Sequence, residues 1–330
     1  MSEIERKIFF VFPGQGSQYR GMGGDLLEEF ESAREVFERS SDTVGYDMAK
    51  LCLRDPDGQL DLTRYTQPAL VTHQLACLAA LQSLLGDRAI VPALTAGHSL
   101  GEYSALVVAG ALRVEDAIAL VKRRGELMSE FGEGSMLATT LDLNTATALA
   151  EKYFCGIGGC NLPEQTVIAG QDLDLDALAA EMEALYPRKR AVRLRTEGAF
   201  HTYLMVEAAR RFREVLDEVE FGPLEVETLS NYTGGLHDSE PRAIRSRLFF
   251  QLFNPVRWYA CMETALEKGV NCIVEFGGGI GQGEAPADKR PNLEGMMKKA
   301  LKSKSREAEY VPAINSGGIR AAAERFLQGS

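Results

Sequence analysis

The sequence predicts an α/β protein, with an α/β-hydrolase-like large subdomain (residues 1–133 and 198–330) into which a ferredoxin-like small subdomain (134–197) is inserted. Three observations point there. Gly97-His98-Ser99-Leu100-Gly101 reads G-x-S-x-G between an apolar run ending at Ala96 and a helical stretch over 102–112, the strand–turn–helix setting of a nucleophile elbow. Residues 136–196 alternate as β-α-β-β-α-β, a split βαβ arrangement. Both ends of that module meet the chain at glycines, near Gly134 and Gly198, as an insertion into a continuing body requires.

The elements follow in order. Residues 7–12 (K-I-F-F-V-F) form a buried-strand pattern stopped by Pro13-Gly14. Residues 26–54 and 66–86 read as helical, the second an Ala/Leu-rich stretch begun by Thr66-Gln67-Pro68. After the strand and elbow comes a helix over 114–131, then a flexible joint at Gly132-Glu133-Gly134-Ser135. Within the module, strands are expected at 136–141, 155–161, 166–169 and 191–196, and helices at 145–153 and 173–185. The body resumes with a helix opened by His201, strands near 225–230 and 272–276, and a C-terminal helix.

Composition narrows the function. With 330 residues the chain is long enough for a large core, and its net charge of −11 argues against nucleic acid as a partner of the surface as a whole. Residues 1–7 are too charged for a secretory signal, and no apolar run approaches the ~20 residues of a membrane span, the longest being 105–112. Six cysteines without a C-x-x-C pair read as buried, reduced thiols of a cytoplasmic protein, where the sequon Asn231-Tyr232-Thr233 is irrelevant. Four dispersed histidines suggest no metal site. The Gly-rich stretches, 277–281 included, match neither a dinucleotide fingerprint nor a P-loop, so no resident cofactor is expected.

Ser99 needs a base, because a free serine hydroxyl is a weak nucleophile. His98 is adjacent, but in an elbow the neighbouring side chain points away; His73 lies in an amphipathic helix and His237 in a polar loop. His201 is the better candidate: it opens a helix on the face carrying Leu204, Met205, Ala208 and Phe212, where the helix dipole keeps the imidazole neutral. Arg124 is the second unusual residue. Ala117, Leu120, Val121, Leu127, Met128 and Phe131 all fall within about 60° of it at 100° per residue, which centres the charge on the buried stripe. It either snorkels to the surface, pairs with an internal carboxylate, or waits for a ligand's planar anion. The loop Pro13-Gly14-Gln15-Gly16-Ser17-Gln18 leaves the first strand at the same sheet edge, where the backbone N–H of Gln15 can join that of Leu100 in an oxyanion hole.

Taken together, these segments resemble the malonyl-CoA:acyl carrier protein transacylase family, close to the free-standing acyltransferases of fatty-acid and polyketide synthesis. The resemblance rests on F-V-F-P-G-Q-G-S-Q from Phe10, T-Q-P-A from Thr66, G-H-S-L-G-E-Y from Gly97, R-G at Arg124, N-x-P-x-Q-x-V-I-A-G from Asn161, G-A-F-H from Gly198 and N-P-V-R-W from Asn254. It implies Ser99 as acyl acceptor, His201 as base, Gln15 and Leu100 as oxyanion-hole amides, and Arg124 as the grip on the acyl group's free carboxylate. It further implies a pocket at Gln67, His98, Asn161 and Phe200, and a backbone carbonyl near Asn254 to Arg257 that orients the histidine. Phe200 resembles malonyl-selective members, where a bulky ring crowds an α-methyl branch. The implied reaction moves malonyl from malonyl-CoA, a substrate and not a bound cofactor, through a seryl ester to the phosphopantetheine thiol of an acyl carrier protein. Acidic carrier proteins call for a basic patch, and Arg188-Lys189-Arg190 with Arg193, or Lys298-Lys299 with Lys302, Lys304 and Arg306, are the two runs available. A carrier-protein thioester hydrolase, transfer of a different carboxylated extender unit, and a non-catalytic docking protein are the rival readings. One departure stands out: Gly277-Gly278-Gly279 replaces the G-P-G of relatives.

Overall fold

A computed structural model describes residues 6–328; residues 1–5, most of the charged N-terminal segment read above, lie outside the described residues, as do 329–330. The strands are β1 Ile8–Phe12, β2 Leu94–Gly97, β3 Ser135–Thr139, β4 Gly156–Leu162, β5 Gln165–Gly170, β6 Ala191–Arg193, β7 Glu227–Thr228, β8 Cys272–Phe276 and β9 Glu309–Ala313. The main sheet runs β7-β2-β1-β8-β9, every pairing parallel. Its centre is β1, whose F-F-V-F is apolar on both sides because both faces are covered. Phe10 and Phe12 enter one core with the helices Thr63–Leu85 and Val114–Glu130, while Phe9 and Val11 enter a second with Trp258, Met262 and Met297. With all strands parallel, the turns after β1, β2 and β8 gather at one edge, the place where open α/β sheets build their sites.

The second sheet has the order β4-β5-β3-β6 and antiparallel neighbours throughout. Interleaving β5 between β3 and β4 is what the split βαβ pattern anticipates. The helices Leu143–Lys152 and Asp172–Leu185 close one face with Leu149, Ile168, Leu175 and Leu178. The opposite face turns Met136, Val167 and Ala169 toward the main body. The chain enters near Gly132 and returns at Gly198, and the two passages touch, since the amide of Ala199 donates to the carbonyl of Glu133 at 2.7 Å.

Several elements depart from expectation. The helical stretch at 26–54 is three helices, Gly24–Glu29, Glu31–Val44 and Met48–Arg54, the second ended by Gly45 at φ 79° and the third capped by Asp47. The helix Thr63–Leu85 begins three residues earlier than read, with Thr66 Oγ1 donating to the Leu60 and Leu62 carbonyls across its first turn. By length and composition it could cross a membrane, contrary to the reading of the apolar runs, but most of it is buried in the core. The strand β9 adds to the elements read from sequence, its pattern being interrupted by Pro312; as the sheet's outer strand it tolerates a residue without N–H. All six cysteines are free thiols, five of them buried.

Candidate active site

The elbow depends on two glycines for close approach rather than for unusual torsion. A Cβ on Gly97 would lie 1.8 Å from the carbonyl carbon of Gly101, and one on Gly101 would lie 2.3 Å from the Phe12 carbonyl oxygen. Between them Ser99 takes the left-handed conformation at φ 51°, which lifts its hydroxyl clear of the turn. Its amide donates to Asn231 Oδ1 at 2.6 Å, and Asn231 Nδ2 donates back to the Gly97 carbonyl at 2.7 Å, so the turn is pinned from below.

His201 meets this serine, with Nε2 2.8 Å from Ser99 Oγ. It does not open a helix: it sits at φ 65° ahead of a short turn at Tyr203–Met205, and the helix starts at Val206. The ring is kept neutral by burial and by the adjacent Arg124 charge, which push its pKa down to about 3, and not by a helix beginning at this residue, since the helix starts five residues on. The orienting carbonyl also differs from expectation. Nδ1 lies 2.7 Å from the carbonyl oxygen of Gln251, three residues before Asn254. Asn254 instead donates to the Phe250 carbonyl, and the Arg257 amide to the Asn231 carbonyl, because the 254–257 segment turns away to bring Val256 alongside β4.

Arg124 is 1% exposed, which removes the snorkelling reading. Gly125 explains how its helix comes so near, since a Cβ there would stand 2.7 Å from the Thr63 carbonyl oxygen. The guanidinium donates from Nη1 to Gln67 Oε1 at 2.8 Å, and from Nη2 to Ser99 Oγ at 3.0 Å and Gln251 Oε1 at 3.1 Å. Its Nε has no acceptor among the described residues, and no ion pair is formed there. A buried guanidinium held by neutral oxygens is desolvated without a counter-charge in contact, which costs several kcal/mol and makes an incoming carboxylate welcome. Burial accordingly lowers its pKa.

A cavity of about 560 Å³ opens over these groups between the two sheets. Gln15, Gln67, His98, Leu100, Asn161 and Phe200 all line it, together with Ser99, Arg124 and His201. His98 turns from the serine and bonds Asn161 Oδ1 through Nε2 at 2.9 Å. Phe200 is buried beside His201, and Met128 and Met136 complete the apolar end. Gln15 and Leu100 border the cavity, and their amides find no protein acceptor among the described residues. Gly278, in the departure from G-P-G, uses its amide to bond His73 Nδ1 at 3.0 Å, and a Cβ there would press on Ser17 at 2.5 Å.

Three residues that hold the site were missed from sequence: Glu102, Asn231 and Gln251. Asn231 stands in a sequon that carries no weight for a protein of reduced thiols, and Gln251 lies just upstream of the N-P-V-R-W motif. Glu102 carried a signal, because an acid directly behind an elbow falls on the inner side of the following helix. His237, a polar-loop residue by sequence, is buried, with Nε2 2.6 Å from Glu102 Oε1.

A histidine-paired serine on an elbow, carried by a parallel α/β body with a small antiparallel subdomain, is the framework of an acyltransferase. The acyl transferase domain family matches residues 9–277, and the chain belongs to it, within the malonyl-CoA:acyl carrier protein transacylase family. It is 36% identical over 282 residues to the malonyl CoA-acyl carrier protein transacylase of Bacillus subtilis, covering 83% of this chain and 87% of that one. Among solved structures it resembles the malonyl CoA-acyl carrier protein transacylase of Clostridium perfringens, at 31% identity and TM-score 0.85, covering 98% of each chain. It likewise resembles PlMCAT, a malonyl-transacylase solved in complex with its type II PKS acyl-carrier protein AntF, at 33% identity and TM-score 0.85 over 97% of this chain and 99% of that one.

Proposed function

We propose that the protein transfers a malonyl group from malonyl-CoA to the phosphopantetheine thiol of an acyl carrier protein through an ester on Ser99. The observation that supports this most directly is Arg124, a buried cation with an unused Nε–H and no carboxylate partner, 3.0 Å from the nucleophile. The free carboxylate of a malonyl ester on Ser99 would meet it bidentately.

In this reading Ser99 Oγ attacks the thioester carbonyl carbon while its proton passes to His201 Nε2. The Nδ1–H bond to the Gln251 carbonyl fixes the tautomer that leaves Nε2 free to accept it. The oxyanion rests on the amides of Gln15 and Leu100, and collapse breaks the C–S bond as His201 returns the proton to the departing CoA sulfur. The carrier thiol then gives its proton to His201 and attacks the ester, and Ser99 is restored. Phe200 crowds the position that an α-methyl branch would take.

Of the two basic runs, much is already engaged: Lys189, Arg193, Lys298 and Lys304 pair with Glu164, Asp172, Glu294 and Glu263. Arg190 and Lys299 make no such pair among the described residues, and together they line a groove that joins the cavity at Ala138 and Gln165. That groove suits the phosphate end of a pantetheine arm.

Intact-mass measurement after mixing with malonyl-CoA tests the proposal. A malonyl adduct is expected, absent in S99A, that leaves faster to a carrier protein than to water. Adduct lost to water with no transfer would reject the transferase in favour of a thioester hydrolase.

A further inference from the structure

Behind the elbow lies a second buried histidine that the reaction does not use. His237 has a fully buried side chain, and its backbone amide donates to the Thr228 carbonyl at 2.7 Å, next to the bridge between Leu229 and Leu236. Its Nδ1 finds no partner among the described residues, so the ring's hydrogen bonding is spent on Glu102. The other oxygen of Glu102 accepts the Asn231 amide at 3.0 Å and Gln251 Nε2 at 2.8 Å. On the opposite side of that same amide, Gln251 Oε1 faces Arg124 Nη2 at 3.1 Å. One side-chain amide therefore separates a buried carboxylate from a buried guanidinium, and the field of Glu102 reaches Arg124 across it.

Opposite charges in a low-dielectric interior gain by direct contact. Here contact is withheld: Glu102 is held by three donors on its own side, and His237 is the one among them that does nothing else. We propose that His237 is a selectivity-positioning residue, which parks Glu102 behind Gln251 so that Arg124 pairs with a carboxylate brought by the substrate and not with the protein's own. This rests on the reading of Arg124 as the malonyl grip. Loss of His237 frees one oxygen of Glu102, Gln251 turns its amide aside, and Glu102 becomes an internal competitor for the guanidinium.

The test compares malonyl-CoA and acetyl-CoA as acyl donors to Ser99. In H237L, and in H237N whose amide is too short to reach Glu102, the KM for malonyl-CoA should rise roughly tenfold or more, the scale of one charge-assisted hydrogen bond, with kcat little changed. The KM for acetyl-CoA should stay level. H237Q, long enough to donate to Glu102, should restore the malonyl KM, and so should H237L combined with E102Q, which removes the competing charge. Equal changes for both donors, a lowered melting temperature with an unchanged KM ratio, or a double variant as impaired as H237L would each overturn the inference. A wild-type enzyme that loads both donors equally would instead reject the malonyl reading, and this inference with it.

Discussion

Gln251 accepts His201 Nδ1 on its backbone carbonyl at 2.7 Å, while its side-chain oxygen accepts Arg124 at 3.1 Å and its amide nitrogen donates to the Ser99 carbonyl at 3.1 Å. The last residue of the helix Pro241–Gln251 thereby ties the imidazole, the guanidinium and the serine into a single arrangement.

That arrangement sets the pH dependence. With its pKa pushed down to about 3, His201 stays neutral and basic well below the ordinary histidine range. The rate of Ser99 loading should be level from pH 7.5 to pH 5, with no inflection near 6.5. A stopped-flow or quench-flow profile checks this, and an acid limb centred near 6.5 would falsify it. Stability should behave differently. His73, at about 4, and His201 both take up protons more readily when unfolded, so the stability they contribute is full above pH 6.5 and is lost as pH falls toward 4. The slope is about 1.4 kcal/mol per pH unit for each group, visible as a falling urea midpoint.

Removing the guanidinium in Arg124→Ala should weaken malonyl loading about 10- to 100-fold, the worth of a charged hydrogen-bond pair, and spare or raise acetyl loading. Arg124→Lys should recover only part of the loss, because a point ammonium cannot reproduce the planar fork that also holds Gln67 and Gln251. Acyl-enzyme yields by intact mass distinguish these outcomes; equal loss of malonyl and acetyl loading would remove the carboxylate grip.

Phe200 is buried against the cavity beside His201. Phe200→Ala should raise methylmalonyl loading relative to malonyl by roughly tenfold, since one methyl in an apolar pocket discriminates on that scale. Competition between the two CoA esters, read as the ratio of adducts, is the measurement. An unchanged ratio would place the control of α-branching elsewhere.

Charge removal in the groove, R190A with K299A, should raise the KM for carrier protein about three- to tenfold while hardly altering the single-turnover loading rate at saturating malonyl-CoA. The wild-type KM should also climb with salt, and the variant's much less. A carrier KM indifferent to both changes would locate docking on another face.

Gly97→Ala should be among the most damaging single changes in the chain, because its Cβ would lie inside the Gly101 backbone at 1.8 Å. A loss of about 4 kcal/mol or more is expected in urea unfolding, and a variant within about 1 kcal/mol of wild type would show that the elbow yields to a methyl group.

Much of this was legible in the residues. The G-x-S-x-G turn, the β-α-β-β-α-β rhythm and the inward placement of Arg124 depend on local spacing, and local spacing survives folding. The failures share a cause. Gln251 as the histidine's orienting carbonyl is a backbone role, which any side chain could fill, so nothing in its identity announces it. His237 sits in a run of Gly, Asp and Ser that reads as polar surface, and only the distant Glu102, 135 residues away, makes it interior. The helix Glu294–Ser303 reads as a basic run because Lys298, Lys299 and Lys302 interleave with the buried Met297, Ala300 and Leu301 that dock it.

The left-handed turn at Ser99 also limits which nucleophiles evolution could try at this spot. A threonine has the same hydroxyl, but a β-branched residue at φ 51° collides with its own backbone. Cysteine, unbranched and close to serine in size, fits the same torsion. Of the two hydroxyl-bearing aliphatic residues in the genetic code, this backbone therefore admits only one, and the choice is made by steric fit before reactivity enters.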